Sequence, residues 1–134
     1  MLDQWLADDK PIKNRKGTKT LRLHDDEFFA PCFSPDVSPN NELPTQWFIS
    51  NYGRLVSVQK ASKRVVWVQR NGKKKYREYY KYEHPVTGKQ KRITAYALMA
   101  LVYRNKDTMF GLAQEYFNLF GLYAIGSKED AYSL

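Results

Sequence analysis

The 134-residue sequence contains a single cysteine, two histidines and no long uninterrupted apolar run. Because Cys32 is alone, a disulfide within the chain is excluded, and a cysteine-rich zinc site lacks its ligands. No segment approaches the roughly 20 apolar residues that span a bilayer. The first residues also lack the basic and apolar regions of a signal peptide. These absences predict a reducing, cytoplasmic setting without a membrane partner.

Acidic residues are scarce in the middle of the chain. Residues 54–92 contain 13 lysines and arginines but only Glu78 and Glu83, a net charge of +11. The flanks are nearly neutral, with −2 over residues 1–53 and −1 over residues 93–134. A solvated surface normally mixes both signs, because like charges repel one another. The imbalance therefore indicates a polyanionic partner; the alternative is that it serves only solubility.

Short alternating and β-branched segments predict a sheet after the proline-rich loop that ends at Pro44. The predicted strands cover residues 48–51, 54–59, 64–70, 74–83 and 90–94. Between the third and fourth strands, Asn71-Gly72 predicts a two-residue hairpin turn, because both residue types tolerate positive φ. Along the fourth strand, alternation predicts that Tyr80 and Tyr82 share one face while Tyr79 and Lys81 share the other.

The last third of the chain changes to helical character. The near-continuous apolar segment 95–103 predicts a buried helix, and phenylalanines at helical spacing predict a second helix from Thr108 to about Tyr123. We therefore expect an α+β fold, an antiparallel meander of four to five strands covered on one face by two C-terminal helices.

The chain divides into three predicted parts. Residues 1–26 form an N-terminal arm, residues 27–103 hold the sheet and first helix, and residues 104–134 hold the second helix and a tail. Within the arm, residues 10–19 are basic and are expected to be mobile. This stretch could contact phosphates, or it could be only a solvated terminus.

Two motifs resemble a known family. Residues 27–31 read EFFAP and residues 48–57 read FISNYGRLVS, followed at 95–103 by AYALMALVY. This order resembles the nuclease-associated modular DNA-binding (NUMOD) motif of HNH homing endonucleases, with its aromatic start, its "Y-x-V-S-N-x-G-R-V-x-S" core and its apolar helix. The resemblance covers about residues 27–103. It implies a DNA-contacting module, commonly encoded by phages and mobile elements, and hence a bacterial host cell.

The sequence departs from that family after the helix, where the HNH nuclease centre is expected. That centre uses paired histidines and an asparagine to hold one divalent ion. The chain has only His24 and His84, and residues 104–134 contain no histidine. We therefore expect no catalysis, no metal site and no cofactor. The acidic residues beside His24 predict a solvated turn rather than a metal site.

The candidate binding residues are mostly basic residues of the predicted sheet and its turns, with one tyrosine among them. Double-stranded DNA is the expected partner, through phosphate contacts and some base contact from the Asn71-Gly72 hairpin. The residues are Arg54, Lys63, Arg64, Arg70, Lys73, Lys74, Lys75, Arg77, Tyr79, Lys81, Lys89, Lys91 and Arg92.

A different class of function is the alternative. A nuclease-derived module without its nuclease could be a phage-encoded inhibitor. Its basic face would bind the nucleic-acid channel or an acidic surface of a host defence nuclease, such as a CRISPR effector, in the manner of an anti-CRISPR protein. Binding to naked duplex DNA separates the two hypotheses.

Overall fold

The computed structural model describes residues 1–34, 38, 43–73 and 77–103. The described chain is mostly sheet with two short helices, so the predicted α+β class is confirmed. In chain order the elements are α1 (Leu2–Ala7), β1 (Ile12–Asn14), β2 (Thr20–Leu21), β3 (Phe29–Pro31), β4 (Trp47–Ser50), β5 (Leu55–Gln59), β6 (Arg64–Trp67), β7 (Tyr79–Glu83), β8 (Gln90–Thr94) and α2 (Ala95–Tyr103).

The strands form two sheets instead of one meander. The larger has six strands in the order β2-β1-β6-β5-β4-β3, and the smaller pairs β7 with β8. Strands β3 to β6 do run as an antiparallel meander, but β1 adds to β6 in parallel. The prediction of a single antiparallel meander is therefore wrong.

The six-stranded sheet is covered on both faces. On one face, Val56, Val58 and Val65 pack with Leu2 of α1 and Ile12 of β1. On the other, the core extends from β4 and β5 to β7, β8 and α2. Because successive strand residues point to opposite faces, β5 is buried along both of its sides. Each large apolar side chain buried in this way contributes about 1.5–3 kcal/mol.

The predicted two-residue hairpin at Asn71-Gly72 is wrong. Strand β6 ends at Trp67, earlier than predicted, and Gly72 has a φ of 94° while Asn71 keeps a negative φ. The backbone N–H groups and carbonyls of Asn71 and Tyr79 pair in both directions, at 2.8 and 2.9 Å. These bonds close a loop over residues 72–78, of which residues 74–76 lie outside the described chain.

The tyrosines of β7 give the physical reason. Tyr80 and Tyr82 place their rings 6.2 and 5.5 Å from the ring of Trp47, in the core. With these rings buried, β7 lies over the face of the large sheet, and β1 occupies the side of β6 that a hairpin partner would take. The predicted alternation along β7 is confirmed, since Tyr80 and Tyr82 are buried while Lys81 is exposed.

The N-terminal segment is not an arm, contrary to the prediction. Ile12 is 1% exposed, and Lys13 and Asn14 of β1 pair with Val66 and Trp67 of β6. Burial of apolar side chains explains why the segment docks. Those that pack on the sheet face formed by Val56, Val58 and Val65 are Leu2, Trp5, Leu6, Ile12, Leu21 and Leu23. The helix predicted at 95–103 is present as α2, whereas the one predicted from Thr108 lies outside the described residues.

Candidate functional site

The turn that joins β4 to β5 contains residues 50–54, the SNYGR part of the motif that resembles the NUMOD core. Its side chains bind the segment before β3. Asn51 is fully buried; its amide nitrogen donates to the Asp26 carbonyl at 3.1 Å, and its amide oxygen accepts from the Phe28 N–H at 2.9 Å. The Ser50 hydroxyl oxygen accepts from the backbone N–H groups of Tyr52 and Arg54. Asn51 and Ser50 thus stabilise the turn.

Arg54 is paired within the fold. Its Nε donates to Oε2 of Glu27 at 2.8 Å, a second bond joins Nη2 to Oε1, and Nη2 also donates to the Arg22 carbonyl at 2.8 Å. Burial disfavours the charged form of Glu27, yet hydrogen bonds from Arg54, Ser50 and the His24 backbone, with the charge of Arg54, hold the pKa of the carboxyl below its ordinary value. The charge of Arg54 is therefore already compensated.

Gly53 lies at the centre of this turn. Its φ is 79°, and a Cβ there would lie 2.7 Å from the Met99 sulfur of α2. The Gly53 carbonyl accepts from the Tyr80 hydroxyl at 2.8 Å and from the Arg70 guanidinium, which also lies 5.8 Å from the centre of the Tyr80 ring. Arg70 therefore holds the motif turn against Tyr80 of the β7–β8 sheet, whereas Arg54 holds it against the segment before β3.

The outer face of the β7–β8 hairpin presents exposed cations. Lys81 stands directly opposite Arg92, and the Arg92 guanidinium lies 4.7 Å from the centre of the Tyr79 ring. Gly72 also approaches that ring, since a Cβ there would be 3.3 Å from a Tyr79 carbon and 3.6 Å from the Arg77 carbonyl. The loop ends are thus held beside the hairpin. We call the exposed cations Lys73, Arg77, Lys81 and Arg92, with Tyr79, the cationic ribbon.

The ribbon cations differ from Arg54 in having no described counter-charge. The structure shows an ion pair between Arg54 and Glu27, whereas none is described for Lys73, Arg77, Lys81 or Arg92. Glu83 is on the same face of β7 as Lys81, but its carboxylate lies toward Gly88, 3.5 Å from the position of a Cβ there. The ribbon is therefore a surface of largely uncompensated positive charge.

The other predicted binding residues do not all join the ribbon. Lys63 and Arg64 lie at the start of β6, whereas Arg70 and the loop to Lys73 follow its far end. Lys91 pairs with Tyr82, so it is on the opposite side of the hairpin from Arg92, and Lys89 is exposed in the turn before β8. Lys74 and Lys75 lie outside the described residues.

A groove of about 1030 Å³ lies beside the ribbon, between the two sheets. Arg15, Lys16 and Lys19 of the β1–β2 turn and Lys81 of β7 are among the residues that line it. Sequence reasoning noticed the basic stretch that contains the first three residues but assigned it to a mobile arm. The residue that could have indicated docking of this stretch is Ile12, because an apolar side chain is not expected in a solvated arm.

The described residues offer few groups for covalent or metal chemistry. Cys32 is fully buried, and burial raises the pKa of its thiol, which disfavours the reactive thiolate. His24 stacks on Tyr52 with ring centres 4.1 Å apart. No three His, Cys, Asp or Glu side chains in the described part of the chain cluster as metal ligands would. Likewise, no described helix has the length and apolarity needed to cross a membrane.

Comparison with known proteins found no match: no family model, curated protein or solved structure matches this chain.

Proposed function

We propose that the chain is a non-catalytic module that binds double-stranded DNA through the cationic ribbon. The observation that supports this function is the set of exposed cations around Tyr79, held on a hairpin and without a described carboxylate partner. The resemblance of residues 27–103 to the modular DNA-binding motif of homing endonucleases supports the same function.

The physical basis is phosphate neutralisation. Lysine and arginine side chains that replace condensed counterions give DNA affinity that falls with salt, by a slope of about −0.9 per phosphate. If the four ribbon cations each contact one phosphate, the slope is about −3.6. The β7–β8 hairpin is a two-stranded ribbon of the kind that the major groove admits, which supports contact with base edges.

The test is fluorescence polarisation with a labelled 20-base-pair duplex, across a series of salt concentrations. The variant Lys81→Glu with Arg92→Glu is expected to bind at least about tenfold more weakly at low salt, with a slope shallower by about two. The matched control is Lys60→Glu with Lys63→Glu, which makes the same charge change in the β5–β6 turn.

Equal losses in both double variants would contradict the ribbon assignment, because net charge alone would then explain the binding. Absence of duplex binding by the native chain would overturn DNA binding itself. In that case the inhibitor function becomes the better hypothesis, and it is tested by retention of a nuclease from bacterial lysate after nucleic acids have been digested.

A further inference from the structure

The floor of the intersheet groove is a row of three side chains on one face of the large sheet. Trp47, Ser57 and Val66 are direct cross-strand partners on β4, β5 and β6, so they point the same way. All three line the groove. The row places one hydroxyl between an indole ring and an aliphatic side chain.

The Ser57 hydroxyl is the unusual member of this row. The residue is 3% exposed, and its oxygen has no hydrogen-bond partner among the described residues. Buried polar groups are almost always hydrogen-bonded, because desolvating one without a partner is unfavourable. A hydroxyl both donates and accepts, so a polar ligand atom in the groove would satisfy it.

The rim of the groove is cationic and held in place. Of the charged residues that line it, Arg15, Lys16, Lys19 and Lys81 are basic and only Glu83 is acidic. The Asn14 side-chain oxygen accepts from the backbone N–H groups of Thr18 and Lys19, at 2.9 and 3.3 Å. The Trp67 indole N–H donates to the Lys19 carbonyl at 3.3 Å, which fixes this turn to β6.

We propose that this groove binds a single, unpaired strand of nucleic acid, with phosphates on the basic rim and a polar base or sugar atom hydrogen-bonded to Ser57. The inference rests on the proposed function in that the ligand is nucleic acid, and it adds a second site with a different strand preference. Because Trp47 is 4% exposed and packs on Tyr80 and Tyr82, the strand would be held by phosphate contacts and hydrogen bonding rather than by stacking. The groove has a volume of about 1030 Å³, and unpaired bases are free to turn a polar edge toward its floor, whereas the paired bases of a duplex are not.

The first experiment measures binding of a labelled 12-nucleotide deoxythymidine strand by fluorescence polarisation. Lys16→Glu with Lys19→Glu is expected to weaken strand binding at least about tenfold, while the control Lys60→Glu with Lys63→Glu changes it less than about threefold. Unchanged strand binding in the groove variant would overturn the inference. Arg92→Glu, a ribbon residue outside the groove, should instead weaken duplex binding most.

The two proposals can therefore fail separately. If Arg92→Glu weakens duplex binding while the Lys16 and Lys19 variant leaves strand binding intact, the groove site is wrong and the ribbon function stands. Inorganic phosphate that displaces the strand at the same total phosphate concentration would also overturn the strand site, since it would indicate only a simple anion site.

Ser57→Ala provides a readout that a purely structural residue would not give. Because the substitution removes an unpartnered hydroxyl, the Tm should stay the same or rise, while strand affinity falls by about threefold to tenfold through loss of one hydrogen bond. Ser57→Thr, which retains the hydroxyl, is the companion variant for binding. A fall in Tm of several degrees for Ser57→Ala would overturn the role of this hydroxyl as a ligand group.

Discussion

Arg54 and Arg92 carry the same guanidinium group in very different surroundings. Arg54 has 24% of its side chain exposed and bonds a carboxylate that is entirely buried. Arg92 is exposed on a two-stranded hairpin, where its described contact is the face of Tyr79. Both residues belong to the same strongly basic third of the chain, so their position in the sequence does not separate them.

The positive charge available to a ligand is therefore what remains after the cations in ion pairs are subtracted. Arg54 and Arg70 bind the motif turn to its neighbours, and removing Arg54 would leave the buried Glu27 carboxylate without its counter-charge. The ribbon cations have no described carboxylate partner, although Arg92 lies over the Tyr79 ring. They are therefore the residues that we propose to contact an external anion. Substituting Arg54 or Arg70 should lower stability, whereas substituting a ribbon cation should lower affinity.

The largest effect on folding is expected from Arg54→Ala. Removing one partner of a buried ion pair leaves the other charge unpaired, and the quarter exposure of Arg54 places the loss at the lower end of the usual range, about 3 kcal/mol. Urea denaturation measures this directly. DNA affinity of the folded fraction should not change; a tenfold loss with unchanged stability would return Arg54 to the binding surface.

Gly53→Ala should follow, with a loss of about 2 kcal/mol from left-handed backbone strain together with crowding. The Met99 sulfur lies 2.7 Å from the position that the new Cβ would occupy. Gly17→Ala is the matched control: its φ of 73° is similar, but nothing lies within 4 Å of a Cβ there. The difference between the two melting temperatures isolates the crowding by Met99 and by the Arg70 guanidinium nitrogen, which is 3.3 Å from the same position. Equal losses would exclude that crowding as a cause.

At acid pH, part of the stability that the Arg54–Glu27 pair contributes should be lost. Because the folded pKa of Glu27 is below its ordinary value, its ionisation stabilises the fold above about pH 4.3, and this stabilisation is lost as the pH falls through the folded pKa. Native protein should therefore exceed Glu27→Gln in stability most at neutral pH, with the gap shrinking in acid. Urea midpoints at pH 7, 5, 4 and 3 test the sign. A gap that widens in acid would contradict the pairing.

Local elements of this fold were predictable from the sequence. The bounds of β8 and α2 were predicted as they occur, and β4 and β5 within one residue, because alternation, turn residues and apolar continuity are local signals. The parallel pairing of Lys13 with Val66 was not, since it joins residues far apart in the chain. The separate sheet of β7 and β8 depended on burial of Tyr80 and Tyr82 against Trp47, another distant contact.

The candidate site, like the fold, was predictable from the sequence only in its local features. Alternation correctly predicted that Tyr79 and Lys81 share a face, whereas nothing near Arg54 in the sequence identified Glu27 as its partner. The groove was missed because it forms only when the β1–β2 turn docks on Trp67. Spacing reports which side chains share a strand face, but it does not report which charges are neutralised by another part of the chain.

The smallest effect on folding, and the sharpest contrast with Arg54, is expected from Arg92→Ala. An exposed cation–π contact contributes about 0.5 kcal/mol, so stability should change by about that amount or less. Duplex affinity should nevertheless fall by about threefold to tenfold, because a phosphate loses its counter-charge.

Arg92→Lys separates the two roles, since lysine retains the charge but lacks the planar group that lies over Tyr79. If charge is what the ligand needs, Arg92→Lys binds duplex nearly as well as the native chain. A loss equal to that of Arg92→Ala would instead assign the binding to the planar stack of Arg92 on Tyr79. A large loss of stability in Arg92→Ala would make this arginine a structural residue like Arg54 and remove the distinction between the two.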